Sequence, residues 1–96
     1  MEQQVRIHYH FYGRVQGVGF RWTAMQAAEA CRTTGWVRNE SDGSVTMEVQ
    51  GTRPNILKML AMIESSRWIH ITNTTKYAMD LDEDEREFDV KLDDWW

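Results

Sequence analysis

The fold is decided by VRIHYHFYGRVQGVGFRWTAMQAAEAC, Val5 to Cys31. Its first part alternates: Val5, Ile7, Tyr9 and Phe11 share one parity and Arg6, His8, His10 and Tyr12 the other, the period-2 pattern of a strand with one buried face. Its last part, from Trp22, is rich in Ala, Met, Gln and Glu, and Ala24, Met25, Ala28 and Cys31 recur at helical spacing. Between them, Gly13-Arg14-Val15-Gln16-Gly17-Val18-Gly19-Phe20-Arg21 packs three glycines and two arginines into nine residues. A strand, a glycine-rich loop and a helix opening near Phe20 is an arrangement in which backbone N–H groups and a helix dipole converge on an anion. Arg21, in the first helical turn, adds a guanidinium able to hold two phosphate oxygens together. Such loops are also common as plain turns, and Arg21 reads equally well as an exposed surface cation.

Downstream, Gly35 to Asn39, Ser41-Asp42-Gly43 and Ser44 to Gln50 read as strand, tight turn and strand, with Val45, Met47 and Val49 facing inward. Thr52 is placed to cap a helix that Pro54 opens, with Ile56, Leu57, Leu60 and Ile63 as its apolar stripe and its end near Ser65-Ser66. Ile69, Ile71, Tyr77, Met79 and Leu81 share one parity interrupted at Asn73 and Thr75, which predicts a long, bulged strand. Asp82 to Glu85 reads as a solvated turn, and Phe88, Val90 and Leu92 as a last short strand. The expected class is α+β: a ferredoxin-like βαββαβ sandwich, an antiparallel sheet with two helices on one face and the other face open.

Ninety-six residues suit one domain, residues 1–96, with 92–96 as a tail. The 42% hydrophobic content, five Trp and one Pro fit a chain with a real core. Net charge is −4, with acid concentrated in Asp80 to Glu85 and Asp93-Asp94, so no broad basic surface offers itself to nucleic acid. The single Cys31 makes no intramolecular disulfide, Met1 to Arg6 lacks a secretory apolar stretch, and no run approaches a membrane helix. A cytoplasmic monomer without membrane or nucleic-acid partners is expected.

Several motifs carry less. His8 and His10 share a face but have no third ligand at a metal-site spacing, so no metal is expected. Asp80-Leu81-Asp82-Glu83-Asp84 imitates a calcium loop, but Glu85 stands where that loop needs Gly and Lys91 where it needs Glu. Cys31 lies on an apolar helix stripe, which makes it a core residue rather than a nucleophile. The glycine loop is neither a P-loop, having no Gly-Lys-Ser/Thr, nor a dinucleotide fingerprint, having Trp22 where the third Gly belongs.

Gly13 to Arg21, followed eighteen residues after Arg21 by Asn39 within Gly35-Trp36-Val37-Arg38-Asn39-Glu40-Ser41-Asp42-Gly43-Ser44-Val45, strongly resembles the two signature blocks of the acylphosphatase family, in order and spacing. The resemblance covers nearly the whole chain. It implies that Val15, Gln16, Gly17, Val18, Gly19 and Phe20 bind a substrate phosphate through backbone amides, with Arg21 as the phosphate-binding arginine. It implies that Asn39 orients the attacking water, so that Arg21 and Asn39 are the catalytic pair. The implied reaction is hydrolysis of a small acyl phosphate by in-line water attack, without metal or cofactor. The chain departs from the family at Arg32, where a helix-terminating Gly is common, and at Ser65-Ser66-Arg67, where Gly-Pro is common.

Two other functions compete. A non-catalytic phosphate-binding or interaction module of the same fold would keep the cradle but has no use for a water-orienting Asn39. An RNA-binding sheet would display surface aromatics in a basic field, and Tyr12 is a lone candidate in an acidic chain.

Overall fold

The computed structural model describes residues 3–91 as β1 (Gln4–Arg14), α1 (Phe20–Ala30), β2 (Thr34–Asn39), β3 (Val45–Thr52), α2 (Arg53–Glu64), β4 (His70–Met79) and β5 (Phe88–Val90). The sheet order is β4-β1-β3-β2-β5. The expected Leu92 of the last strand, the tail 92–96, Asp93-Asp94 and Trp95-Trp96 lie outside the described residues. Both helices pack on one side, and Phe11, Phe20, Ala24, Ala27, Val45, Met47, Val49, Ile56, Met59 and Ile63 form the core between helices and sheet. No helix among the described residues is long and apolar enough to cross a membrane.

Four strands pair antiparallel as expected, but β5 lies parallel to β2, with Gly35 opposite Phe88 and Val37 opposite Val90. The sheet is therefore mixed. The reason is topological. β4 and β5 sit at opposite edges, so residues 80–87 must cross the sheet end before the chain turns back, and it then runs in the direction of β2.

Side-chain parity is corrected in three places. In α2 the buried stripe is Ile56, Met59 and Ile63 with Leu60 partly covered, a clean i, i+3, i+4, i+7 pattern, and Leu57 is 58% exposed. In α1, Ala27 rather than Met25 completes the stripe. In β4 the bulge reverses parity instead of merely interrupting it. Tyr12 pairs with Asn73 and Gly13 with Ile71, leaving Thr72 as the extra residue. Ile69 and Ile71 therefore belong to the core face, whereas Asn73, Thr75 and Tyr77 pair with Tyr12, His10 and His8 on the opposite face. Gly13 makes the bulge possible: its φ is +121°, and a Cβ there would lie 2.3 Å from the His70 carbonyl oxygen.

The face without helices is a polar network rather than bare surface. Arg6, expected outward, is 4% exposed: its guanidinium donates to Glu48 at 3.0 Å, to Glu85 at 2.8 Å and to Gln50 at 3.2 Å. Asp82 and Gln50 exchange two further bonds, so the acidic crossing segment is a strap fastened over one end of this face, not a solvated turn throughout. His8 bonds Glu48 at 2.8 Å and stacks on Tyr77, and Lys91 lies over the Trp36 ring. Tyr12 is thus not the lone aromatic of this face, and Trp36 carries Arg38 and Lys91 over its ring, but Glu40 and Glu48 lie among these cations, so the field is mixed in sign rather than basic.

The end of α1 explains the departure at Arg32. Thr33 N–H donates to the Ala28 carbonyl and Arg32 N–H to that of Glu29, the paired bonds of a helix stop whose pivot residue takes the left-handed conformation. Arg32 is that pivot, with φ 56°, the non-glycine residue of positive φ among those described. Arg32→Gly is therefore expected to stabilise the chain by about 1 kcal/mol, read from the urea midpoint.

Burial alone would raise the Glu48 carboxyl, but its bonds from His8 and Arg6 outweigh that and hold it below the ordinary 4.5. A depressed carboxyl lends stability that is complete above its unfolded value and is lost as pH falls through the folded one. Glu48→Gln is expected to cost about 1–2 kcal/mol at neutral pH. That difference from wild type should shrink as the pH is lowered below 4.5, followed by urea unfolding across the range.

Candidate active site

Val45 of β3 stands opposite Phe11 of β1 on one side and Asn39 of β2 on the other. This row sets Asn39 two strand spacings, about 10 Å, from Phe11, three residues before β1 ends at Arg14 and the glycine loop follows. The loop is then fastened to the β2–β3 hairpin by Gln16, whose carboxamide donates to the carbonyls of Glu40 at 2.6 Å and Ser44 at 2.8 Å. Val15 and Phe20 at either end of the loop are buried, and Val18 packs partly against the core. Three apolar anchors and one polar staple thus hold the loop.

Between the anchors, Gly17 and Gly19 have φ of +72° and +80°, and a Cβ at either would meet no protein atom within 4 Å. Gly19 caps α1 with no side chain bonded to the helix amides. The first N–H groups of a helix lack intrahelical acceptors, so α1 begins at Phe20 with its donors and positive dipole end toward this loop.

Val15, Gly17, Gly19, Phe20, Arg21 and Asn39 line one open cleft of about 400 Å³. Of the residues expected to bind phosphate through backbone amides, Gln16 and Val18 send their side chains elsewhere: the first braces the hairpin and the second packs against the core. Arg21 is the second residue of α1, and Asn39, 8% exposed, is the last of β2. Two residues eighteen positions apart thereby share one cavity, a guanidinium on one wall and a carboxamide on another.

The hairpin behind Asn39 is rigidly tied. Glu40 N–H donates to the Ser44 carbonyl at 2.9 Å and Gly43 N–H to Glu40 at 3.2 Å. Asp42 accepts both the backbone N–H and the hydroxyl of Ser44, and these bonds lower its carboxyl pKa. Burial acts to raise Glu40, but the Thr46 hydroxyl at 2.7 Å and Arg38 at 3.0 Å prevail, keeping it below its ordinary value. Glu40 is thus held ionised by its own partners.

The remaining lining residues, Trp22, Met25 and Val90, are not singled out by the sequence. Trp22 and Met25 follow Arg21 by one and four places, so a helix opening at Phe20 carries them on one flank; that much was readable. Val90 enters through the parallel pairing of β5, which carries no local signal. Elsewhere, His8 and His10 bond Glu48 and Ser44, Cys31 is buried, and no three His, Cys, Asp or Glu side chains gather as a metal site among the described residues.

The comparisons agree on one family. The acylphosphatase family profile matches residues 7–90. An acylphosphatase of Geobacillus kaustophilus is 37% identical over 86 residues, covering 88% of this chain and 92% of that protein. An acylphosphatase of Leuconostoc mesenteroides is 43% identical over 53 residues, 55% of this chain and 59% of that protein's length. The solved structure of an acylphosphatase from Coxiella burnetii superposes with a TM-score of 0.82 at 31% identity, over 92% of this chain and 93% of that one.

Gly19→Ala is expected to lower stability by about 1–2 kcal/mol, because a left-handed backbone then carries a Cβ. Gly19→Asn should cost less, since Asn tolerates that region better. Urea midpoints of the two variants check the order.

Proposed function

The chain belongs to the acylphosphatase family, and we propose that it hydrolyses the carboxyl–phosphate bond of small acyl phosphates by direct in-line attack of water. The observation that carries the reading is the meeting of Arg21 and Asn39 in the cleft that Gly17 and Gly19 also line. The phosphoryl group sits against the loop from Val15 to Phe20, its oxygens taking backbone N–H donors and the start of the α1 dipole. Arg21 supplies the full positive charge and grips two oxygens at once.

Asn39 orients the water. Its carboxamide oxygen accepts a hydrogen bond from the water while its NH₂ group donates to the phosphate or its neighbours, which turns a lone pair toward phosphorus. The water oxygen bonds to phosphorus, and the phosphorus–acyl oxygen bond breaks with its electron pair leaving on the carboxylate. The water proton passes to a phosphoryl oxygen, so an acyl phosphate dianion and water become a carboxylate and dihydrogen phosphate. Carboxylate is a good leaving group, so the protein's work is positioning and neutralising charge. A burial of 8% exposure keeps the Asn39 amide from swinging, and the Glu40–Ser44 hairpin fixes the strand end that bears it.

Purified wild-type chain should hydrolyse acetyl phosphate at a rate that a chelator leaves unchanged and inorganic phosphate inhibits competitively. Arg21→Ala is expected to lower kcat/KM by at least about a thousandfold and to abolish most of the phosphate inhibition. Asn39→Ala should lower kcat by about a hundredfold or more, with phosphate still competing. A double variant with wild-type turnover overturns the reading.

A further inference from the structure

We infer that the cleft selects acyl phosphates whose acyl group is flat and apolar, with Trp22 as the residue that reads it; this rests on the acylphosphatase reading. The phosphate-directed groups of the cleft are the loop backbone, Arg21 and Asn39. Of the other lining side chains, Trp22, Met25 and Val90 are all uncharged and apolar. Among the described residues Arg21 is the one charged side chain of the lining, and in the proposed reaction it is taken up by the phosphoryl oxygens. A second anionic group on the acyl moiety therefore meets no further cation among the described lining residues, whereas a ring or alkyl group meets hydrocarbon.

Trp22 is 64% exposed, so a large indole surface lies at the cleft with its apolar area still in water. Most exposed apolar residues on a protein are scattered and carry no meaning. Trp22 differs by place. It is on α1 one residue after the arginine, and Met25, three residues on, lies on the same helix flank. Val90, from β5, closes on the cleft from the sheet. A lining of this kind, mostly apolar with a few polar groups, is the usual composition of a small-molecule site.

Reaction geometry favours this wall. In-line displacement sets the leaving carboxylate across phosphorus from the water, so an acyl group whose water is held by Asn39 contacts the cleft elsewhere. An aromatic acyl group can stack on the indole, while an acetyl group is too small to cover it. Because the contact is present in bound substrate and transition state alike, it acts on KM more than on kcat.

The test compares benzoyl phosphate with acetyl phosphate as substrates of the full chain. Trp22→Ala is expected to lower the benzoyl-to-acetyl ratio of kcat/KM by about tenfold, through KM for benzoyl phosphate. Trp22→Phe, which keeps a flat ring, should retain most of the wild-type ratio. An unchanged ratio in Trp22→Ala, with both substrates still hydrolysed, overturns the role of Trp22 and leaves the acylphosphatase reading intact. Hydrolysis of neither substrate by the wild-type chain overturns both.

Discussion

The site depends on one row of the sheet. Phe11, Val45 and Asn39 stand side by side on β1, β3 and β2, and Val45, fully buried, has a paired strand on either side. Because side chains alternate along a strand, a slip of one residue in either pairing would turn the whole core face outward. Burial of Phe11, Val45, Met47 and Val49 therefore fixes the register. The register in turn fixes where the glycine loop leaves β1 relative to Asn39. Gln16 carries this order the last few ångströms, since its two bonds go to the hairpin carbonyls that flank the same row. Hydrophobic packing thus sets the spacing of the polar groups of the site.

Much of this was legible because it is local or periodic. The alternation at Val45, Met47 and Val49, the helix opening at Phe20, and the Thr52 cap with its bond from Asn55 all express short-range rules. Arg21 and Asn39 were legible as residues of a resembling family, and the fold brings them to one cleft. What could not be read depends on distant partners. Leu57 and Met59 are equally apolar, and the sequence alone does not say which side of α2 meets the sheet. The parity reversal in β4 needs the pairing of Thr72's neighbours with Tyr12 and Gly13. The parallel placement of β5, and with it Val90 at the cleft, follows from where the crossing segment lands.

Arg6 shows the same limit from the polar side. By parity it belongs to an open face, yet Glu48 from β3 and Glu85 from the strap enclose it. An enclosed guanidinium must be compensated, and removing one partner of such a group costs more than the pair contributes in net terms. The strap is acidic, and one of its carboxylates is the second counter-ion of a buried cation. The negative charge at this end of the chain therefore has a structural use independent of any ligand.

The strand order carries a consequence for the way the molecule is made. β1 emerges from the ribosome before the other four strands but is an interior strand, bonded to β3 and β4 and not to β2, the next strand in the chain. No sheet can form around it until residues 45–52 have been synthesised, and its second edge stays bare until residues 70–79 follow. Such long-range pairing slows folding and leaves a nascent apolar strand exposed in the interval. The glycine loop, made before β2 and β3, acquires its facing Asn39 only when β3 arrives to bridge them. Assembly of the cleft thus waits for strands made after its defining loop.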